Sequence, residues 1–224
     1  MRQAYHEELN AISAALVDMT NLVGSAMNRA TTALLDGDLA LAESVISHDE
    51  AIDQLYREIE ERSLELLARQ QPVAGDLRVL ITGLRMVADL ERMGDLAVHV
   101  AKVARRRYPQ SAIPAELRAT MLEMGQVAQR IVTKAGSVIA SRDLDMAAEL
   151  EKDDDVMDSL HRQVFAELLD GEWQHGMECA IDVTLVGRYF ERFADHAVSV
   201  TRRVVFIVTG QRLESATASA VSSA

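Results

Sequence analysis

The chain of 224 residues repeats part of its own sequence. The segment 91–106, ERMGDLAVHVAKVARR, resembles the segment 191–206, ERFADHAVSVTRRVVF, which lies 100 residues later. Six of their first ten positions are identical without a gap. A second pair of similar segments, 38–53 and 143–158, is offset by 105 residues. A tandem duplication of about a hundred residues explains both matches and predicts two similar structural units.

The composition and the spacing of apolar residues indicate that each unit is helical. The chain contains 4% aromatic residues, 3 Pro and 11 Gly. It is rich in Ala, Leu, Glu and Arg, which lose little side-chain freedom in a helix. In residues 41–59, apolar side chains recur at alternating steps of four and three residues, which is typical of one helix face. We therefore expect an all-α protein.

Glycine, proline and short polar segments divide the chain into six long helices. We predict them near residues 6–36, 39–70, 75–108, 115–141, 144–170 and 176–209. Long helices joined by short turns pack as antiparallel neighbours. The predicted fold is a tandem repeat of two three-helix bundles, in residues 1–110 and 111–210. Residues 211–224 are rich in Ser and Ala, and we predict a disordered tail there.

Charge and apolar content limit the classes of function. The formal net charge of -12 argues against nucleic acid as the main partner, because such binding depends on Lys and Arg contacts to phosphate. The N-terminal segment lacks the basic and then apolar pattern of a signal peptide. The apolar run 204–208 is far shorter than the ~20 residues that cross a bilayer. We expect a cytoplasmic protein that reaches membranes only through its partners.

Each repeat contains two pairs of acidic residues at i, i+4 spacing, which places both members of a pair on one helix face. The four pairs are Asp49/Asp53, Glu91/Asp95, Asp154/Asp158 and Glu191/Asp195. Like charges at this spacing destabilise a helix by about 0.2–0.5 kcal/mol per pair unless they are compensated. Four such pairs therefore need an explanation.

A salt-bridged helix surface is one interpretation of these pairs. One member of each pair has an arginine three or four residues away, and these arginines are Arg57, Arg92, Arg162 and Arg192. Glu191 also has Arg188 three residues before it. Asp49, Glu91 and Asp154 have no cation at either distance. Salt bridges within one helix therefore explain about half of the acidic residues.

The positions of the turns favour a second interpretation. In a helical hairpin, two sites face each other when they lie equally far from the turn. Asp53 and Glu91 are each 19 residues from Pro72, and the midpoint of Asp158 and Glu191 falls within the break at 171–176. We therefore predict four facing carboxylates in each repeat, which would repel or take up protons unless a multivalent cation neutralised them. All-oxygen ligation suits Mg²⁺, Mn²⁺, Ca²⁺ or iron.

The duplicated three-helix unit, with [DE]xxxD motifs written ERMGD and ERFAD, resembles the PhoU family of phosphate-uptake regulators over nearly the whole chain. The resemblance implies a surface metal site in each bundle, holding one ion or an iron or zinc cluster. Iron, zinc, manganese and magnesium are the expected metals. The implied ligands are Asp49, Asp53, Glu91, Asp95, Asp154, Asp158, Glu191 and Asp195.

The resemblance also implies partners and a role. A protein of this family would form a homodimer and act between the ATPase subunit of the phosphate ABC transporter and a phosphate-sensing histidine kinase. It would hold the phosphate-starvation (Pho) response off when phosphate is plentiful. This is the role of a regulator, so we predict no enzymatic activity.

Two alternatives remain open. The first is a helical adaptor that binds partners without metal. The second is a ferritin-like di-iron enzyme, which needs two Glu-x-x-His motifs on inward helix faces. Only Glu172 and His175 match this motif, and they lie in a predicted turn. No Ser-His-Asp arrangement, glycine-rich phosphate loop or HExxH motif supports another enzyme class.

Several further residues are weaker candidates. His99 follows Asp95 by four residues, but the second repeat has Ser199 at the matching position, so we rank ligation by His99 low. We expect His196 to be a packing or surface residue. The basic segments 102–107 and 202–203 are close to the predicted C-terminal ends of two helices, where cations offset the helix dipole. Docking of a partner or of anionic lipid is a second interpretation of these segments.

Overall fold

The computed structural model describes residues 2–170 and 173–211. Its long helices are α1 (Arg2–Asp36), α2 (Leu39–Gln70), α3 (Ala74–Arg107), α4 (Arg118–Ser141), α5 (Leu144–Leu169) and α6 (Gly176–Thr209). A 3₁₀ helix, Ala115–Leu117, precedes α4, and no strand occurs in the described ranges. The all-α prediction is confirmed, and every predicted helix end lies within four residues of the observed one. None of the described helices has an apolar stretch long enough to cross a membrane.

The second helix of each repeat begins with the same cap. Asp38 precedes α2, and its side chain accepts a hydrogen bond of 2.9 Å from the backbone N–H of Leu41. Asp143, 105 residues later, precedes α5 and accepts from the N–H groups of Asp145 and Met146. A carboxylate at this position satisfies N–H groups that have no partner within the helix. The duplication therefore preserves the helix start as well as the helix itself.

The six helices form two three-helix bundles that pack side by side. In the first repeat α1 contacts both α2 and α3, and in the second α4 contacts both α5 and α6. Helix α1 also packs on α4, and α3 packs on α6, so that a single hydrophobic core runs through both repeats. The predicted pair of bundles is confirmed. The boundary between residues 110 and 111 stays a prediction, and residues 212–224 of the predicted tail lie outside the described residues.

Ion pairs connect α3 and α6 at one end of their contact. Asp182 of α6 is 1% exposed, and both Arg106 and Arg107 of α3 donate hydrogen bonds to its carboxylate. Arg107 also lies 2.8 Å from Glu178. A buried carboxylate requires such partners because its charge is poorly solvated. The basic segment 102–107 therefore connects the two repeats.

A second group of ion pairs connects α6 to the middle of α3 and to α5. Arg203 of α6 donates to Asp89 of α3 at 2.7 Å, and His196 Nδ1 lies 3.1 Å from the same carboxylate. Arg202 reaches Glu151 of α5 at 2.9 Å. His196 is thus a packing residue between repeats, as expected, and the basic segment 202–203 also pairs with acidic residues on neighbouring helices.

Candidate metal centres

The acidic residues of the first repeat lie where α2 and α3 approach each other closely. Gly94 of α3 is buried between Glu91 and Asp95. A Cβ atom at Gly94 would lie 3.0 Å from Ile52 Cδ1 and 3.4 Å from Asp49 Oδ1, both on α2. The missing side chain therefore lets Ile52 pack closely on α3, and the Asp49 carboxylate lies beside Gly94, next to the acidic residues of that helix.

The carboxylates of this first site influence one another across the two helices. Burial raises the pKa of Asp49, and the charges of Asp53 and Asp95 raise it further. Burial also raises the pKa of Glu91, with additional contributions from Asp95, Asp53 and Asp49. Because α2 residues affect α3 residues and the reverse, the two predicted pairs form one electrostatic unit.

The second site, between α5 and α6, has the same arrangement. Burial, followed by the charges of Asp158 and Asp195, raises the pKa of Asp154 to about 7. Burial also raises the pKa of Glu191, with contributions from Asp195 and Asp158. The Asp195 side chain reaches the surface, yet partial burial, and in addition the charge of Asp158, raise the pKa of its carboxyl group as well. The carboxylates of the second site therefore influence one another across α5 and α6, as those of the first site do across α2 and α3.

Arginines compensate only part of this negative charge. Arg92 lies 2.9 Å from Asp95 and 3.7 Å from Glu91, and Arg188 donates to Glu191. Arg57 instead donates to Gln54 at 3.4 Å. Within the described ranges, five of the eight carboxylates form no ion pair, and these are Asp49, Asp53, Asp154, Asp158 and Asp195, because only Glu91, Asp95 and Glu191 do. Salt bridges therefore compensate fewer of the eight carboxylates than the spacing of arginines in the sequence indicated.

The eight carboxylates are suitable ligands for a metal ion, but their side chains are not positioned to hold one. Hard cations such as Mg²⁺, Mn²⁺ and Ca²⁺ prefer carboxylate oxygens. Burial, and then neighbouring carboxylates, raise the pKa of Asp49, Glu91 and Asp154, and a bound cation would lower these values. As the side chains stand, no three His, Cys, Asp or Glu groups of the described residues are arranged to hold a metal ion. Binding therefore requires the carboxylates to turn toward a common point.

The weaker candidates have other contacts. The exposed ring of His99 stacks on Tyr189 of α6, with ring centroids 5.2 Å apart. His175 contacts Glu116, just before α4, and Glu172 lies outside the described residues. Cys179 is half-buried, and burial raises the pKa of its thiol.

His161 is a residue that the sequence analysis missed. It follows Asp158 by three residues on α5, and its Nε2 atom is buried without a hydrogen-bond partner among the described residues. Burial and then Arg188 lower the pKa of its imidazole. The first repeat has Tyr56 at the matching position, where the hydroxyl group donates to Glu60 at 3.3 Å. Aligning the two repeats at the offset of 105 residues would have shown from the sequence that His161 takes the place of Tyr56 in the second site.

Comparisons with known proteins give one consistent family. The PhoU domain matches the chain twice, over residues 16–104 and 121–204. The phosphate-specific transport system accessory protein PhoU homolog 2 of Mycobacterium tuberculosis is 53% identical over 210 residues, which cover 94% of this chain and 99% of that protein. PhoU homolog 1 of Mycobacterium leprae is 52% identical over 210 residues, which cover 94% of this chain and 95% of that protein.

Solved structures share the fold. The crystal structure of PhoU from Pseudomonas aeruginosa is 29% identical and superposes with a TM-score of 0.81, covering 92% of this chain and 100% of that one. The phosphate transport system regulatory protein PhoU from Streptococcus pneumoniae, at 24% identity, has the same fold with a TM-score of 0.85 over 94% of this chain and 100% of that one. The chain described here belongs to the PhoU family.

Proposed function

We propose that this protein is a metal-binding regulatory adaptor that represses the phosphate-starvation response and modulates phosphate uptake. Its similarity over 94% of the chain to proteins named as accessory to a phosphate-specific transport system carries this proposal. In the proposed role it works in the cytoplasm, as a homodimer, and links the ATPase subunit of the phosphate ABC transporter to a sensor histidine kinase. The relatives are named as accessory proteins and not as enzymes, which supports an adaptor without catalytic activity.

The two groups of four carboxylates support the metal-binding part of the proposal. Asp49 and Asp53 would hold a divalent or trivalent ion together with Glu91 and Asp95, and the equivalent residues would do so in the second repeat. The ion would supply positive charge to a group of carboxylates in which Asp49 and Glu91 have raised pKa values. It would thereby hold α2 against α3, and α5 against α6. Iron, zinc, manganese and magnesium are the candidates.

Deletion of the gene tests the regulatory role. We expect phosphate-starvation genes to be expressed in phosphate-rich medium after deletion, and the intact gene on a plasmid to restore repression. Normal repression in the deletion strain, with any second copy also deleted, would contradict the proposed role.

Metal analysis of protein purified without an affinity tag tests the sites. Mass spectrometry should detect bound metal, and Glu91→Ala with Asp95→Ala should reduce its amount by about half, because the second site remains intact. The variant Glu50→Gln with Asp155→Asn is a matched control, since both residues are exposed and adjacent in sequence to site residues. Wild-type protein that stays free of metal after exposure to iron, zinc, manganese and magnesium would leave the metal-free adaptor as the better interpretation.

A further inference from the structure

Exposed apolar residues recur near the turn of the α2–α3 hairpin and near that of the α5–α6 hairpin. Leu77 and Ile81 of α3 are 40% and 38% exposed, and Met177 and Ile181, 100 residues later, are 77% and 51% exposed. The preceding helices match as well, because Leu64 is 54% exposed and its equivalent at an offset of 105 residues, Leu169, is 82% exposed. We call Leu64, Leu77 and Ile81 the first tip patch, and Leu169, Met177 and Ile181 the second tip patch.

The two patches differ in the charges that surround them. Arg62 near the first patch corresponds to Glu167 near the second, at an offset of 105 residues. Arg78, between Leu77 and Ile81, corresponds to Glu178, between Met177 and Ile181. The duplication has thus kept the apolar positions and inverted the charge at two positions beside them.

The acidic groups around the second tip patch are accessible to a partner. Glu167 and Asp170 form no ion pair with any described residue, and the Glu178 side chain is 85% exposed although it contacts Arg107. A cavity of about 420 Å³ is lined by Glu116, Glu167, Asp170, Trp173, Gln174 and His175. Glu116 contacts His175, so the carboxylates of Glu167 and Asp170, together with the indole ring, suit a lysine or arginine side chain.

We propose that the second tip patch is the docking surface for a basic amphipathic helix of a partner protein. Apolar residues of that helix would cover Met177 and Ile181, whose i, i+4 spacing presents one ridge. Its lysine or arginine residues would pair with Glu167 and Asp170. The same carboxylates repel an anionic membrane surface. Beside the first tip patch Arg78 opposes a basic partner, whereas Arg62 is paired with Glu8 at 2.7 Å. The inference rests on the proposed function only because an adaptor needs a protein partner.

A synthetic peptide tests this docking surface on the purified full chain. The probe is a fluorescein-labelled amphipathic helix with leucine on one face and lysine at its flanks, and fluorescence anisotropy measures its affinity. We expect Met177→Ser with Ile181→Ser, and separately Glu167→Gln with Asp170→Asn, to weaken binding by about tenfold or more. The matched variant Leu77→Ser with Ile81→Ser should bind as wild type does. All these residues lie at the surface, and circular dichroism confirms that each variant is folded.

Other outcomes overturn the proposal. Equal loss of affinity in the variants of both patches, or equal affinity for a peptide with glutamate in place of lysine, would show that the second patch is not selective. If Met177→Ser with Ile181→Ser changes the sedimentation coefficient of the protein without peptide, a second copy of the chain occupies the patch instead. Gene deletion and metal analysis remain independent of these results, so failure here is distinguishable from failure of the proposed function.

Discussion

The carboxyl group of Asp154 makes the stability of the metal-free protein depend on pH. Its pKa rises from 3.8 to about 7 on folding, because burial, Asp158 and Asp195 disfavour its charged form. Between these two values the folded chain binds more protons than the unfolded chain, so the contribution of this group to stability falls as pH rises from about 4 to 7. Above pH 7 the full penalty of the buried charge is present.

Asp154→Asn should remove this penalty. One pKa unit corresponds to about 1.4 kcal/mol, and partial exposure of the side chain reduces the effect. We therefore expect the variant to be more stable than wild type by about 1–2 kcal/mol at pH 8, with a smaller difference at pH 5. Urea unfolding in EDTA, followed by circular dichroism, measures both. A variant that is less stable at pH 8 would show that the negative charge of Asp154 is compensated in the folded protein.

At the scale of helices, the sequence predicted the features that depend on local residue types and on the duplication. Breaks such as Gly37 and Pro72 located the helix ends, and equal distances from the turns predicted that the two acidic pairs of a repeat face each other. Contacts between repeats were not predictable in this way. Asp182 lies in α6 and its arginine partners lie in α3, more than 70 residues earlier, so no spacing within one helix indicates that pairing.

The same limit applies to His161 and Gly94. Each acts through the neighbouring helix, since the His161 ring packs against Gly187 and Gly94 makes room for Ile52 beside Asp49. Helical periodicity describes which face of a helix is buried, but it does not describe how closely two helices approach. The acidic residues of the candidate sites were therefore identified from sequence, whereas the residues that shape these sites required the packed structure.

The close contact between α1 and α4 predicts how a substitution at Gly125 affects stability. A Cβ atom at Gly125 of α4 would lie 2.5 Å from Cγ2 and 3.2 Å from Cβ of Thr31 on α1. The Thr31 side chain is buried, and its hydroxyl group donates to the Met27 carbonyl at 2.8 Å, so moving it away would disturb this hydrogen bond. Gly125→Ala should therefore destabilise the protein by about 1–3 kcal/mol through overpacking.

Gly75→Ala is the matched control for that substitution. Gly75 lies in the first turn of α3, and a Cβ atom there would have no neighbour within 4 Å. Alanine has the higher helix propensity, so we expect a neutral effect or stabilisation by up to about 1 kcal/mol. Thermal unfolding of both variants compares the two positions. If Gly125→Ala melts at the temperature of wild type, α1 and α4 are not in close contact in solution.

The sequence consists of two repeats, but their helices pack around one hydrophobic core. Apolar residues of α1 pack against those of α4, and α3 packs against α6. Asp182 and Asp89 connect α3 and α6 through ion pairs at two places along their contact. Neither repeat buries the faces of its helices completely without the other. Duplication therefore produced one hydrophobic core with two acidic sites.

This packing predicts that the repeats unfold together. Calorimetry of the intact metal-free chain should show one transition whose calorimetric and van't Hoff enthalpies agree. A fragment of residues 1–110 would expose the apolar faces of α1 and α3 that α4 and α6 cover, so we expect it to have lower helicity and no cooperative transition. Adding a fragment of residues 111–210 should restore both properties. Two separate transitions in the intact chain, or cooperative melting of the first fragment as a monomer, would show that each repeat is stable alone.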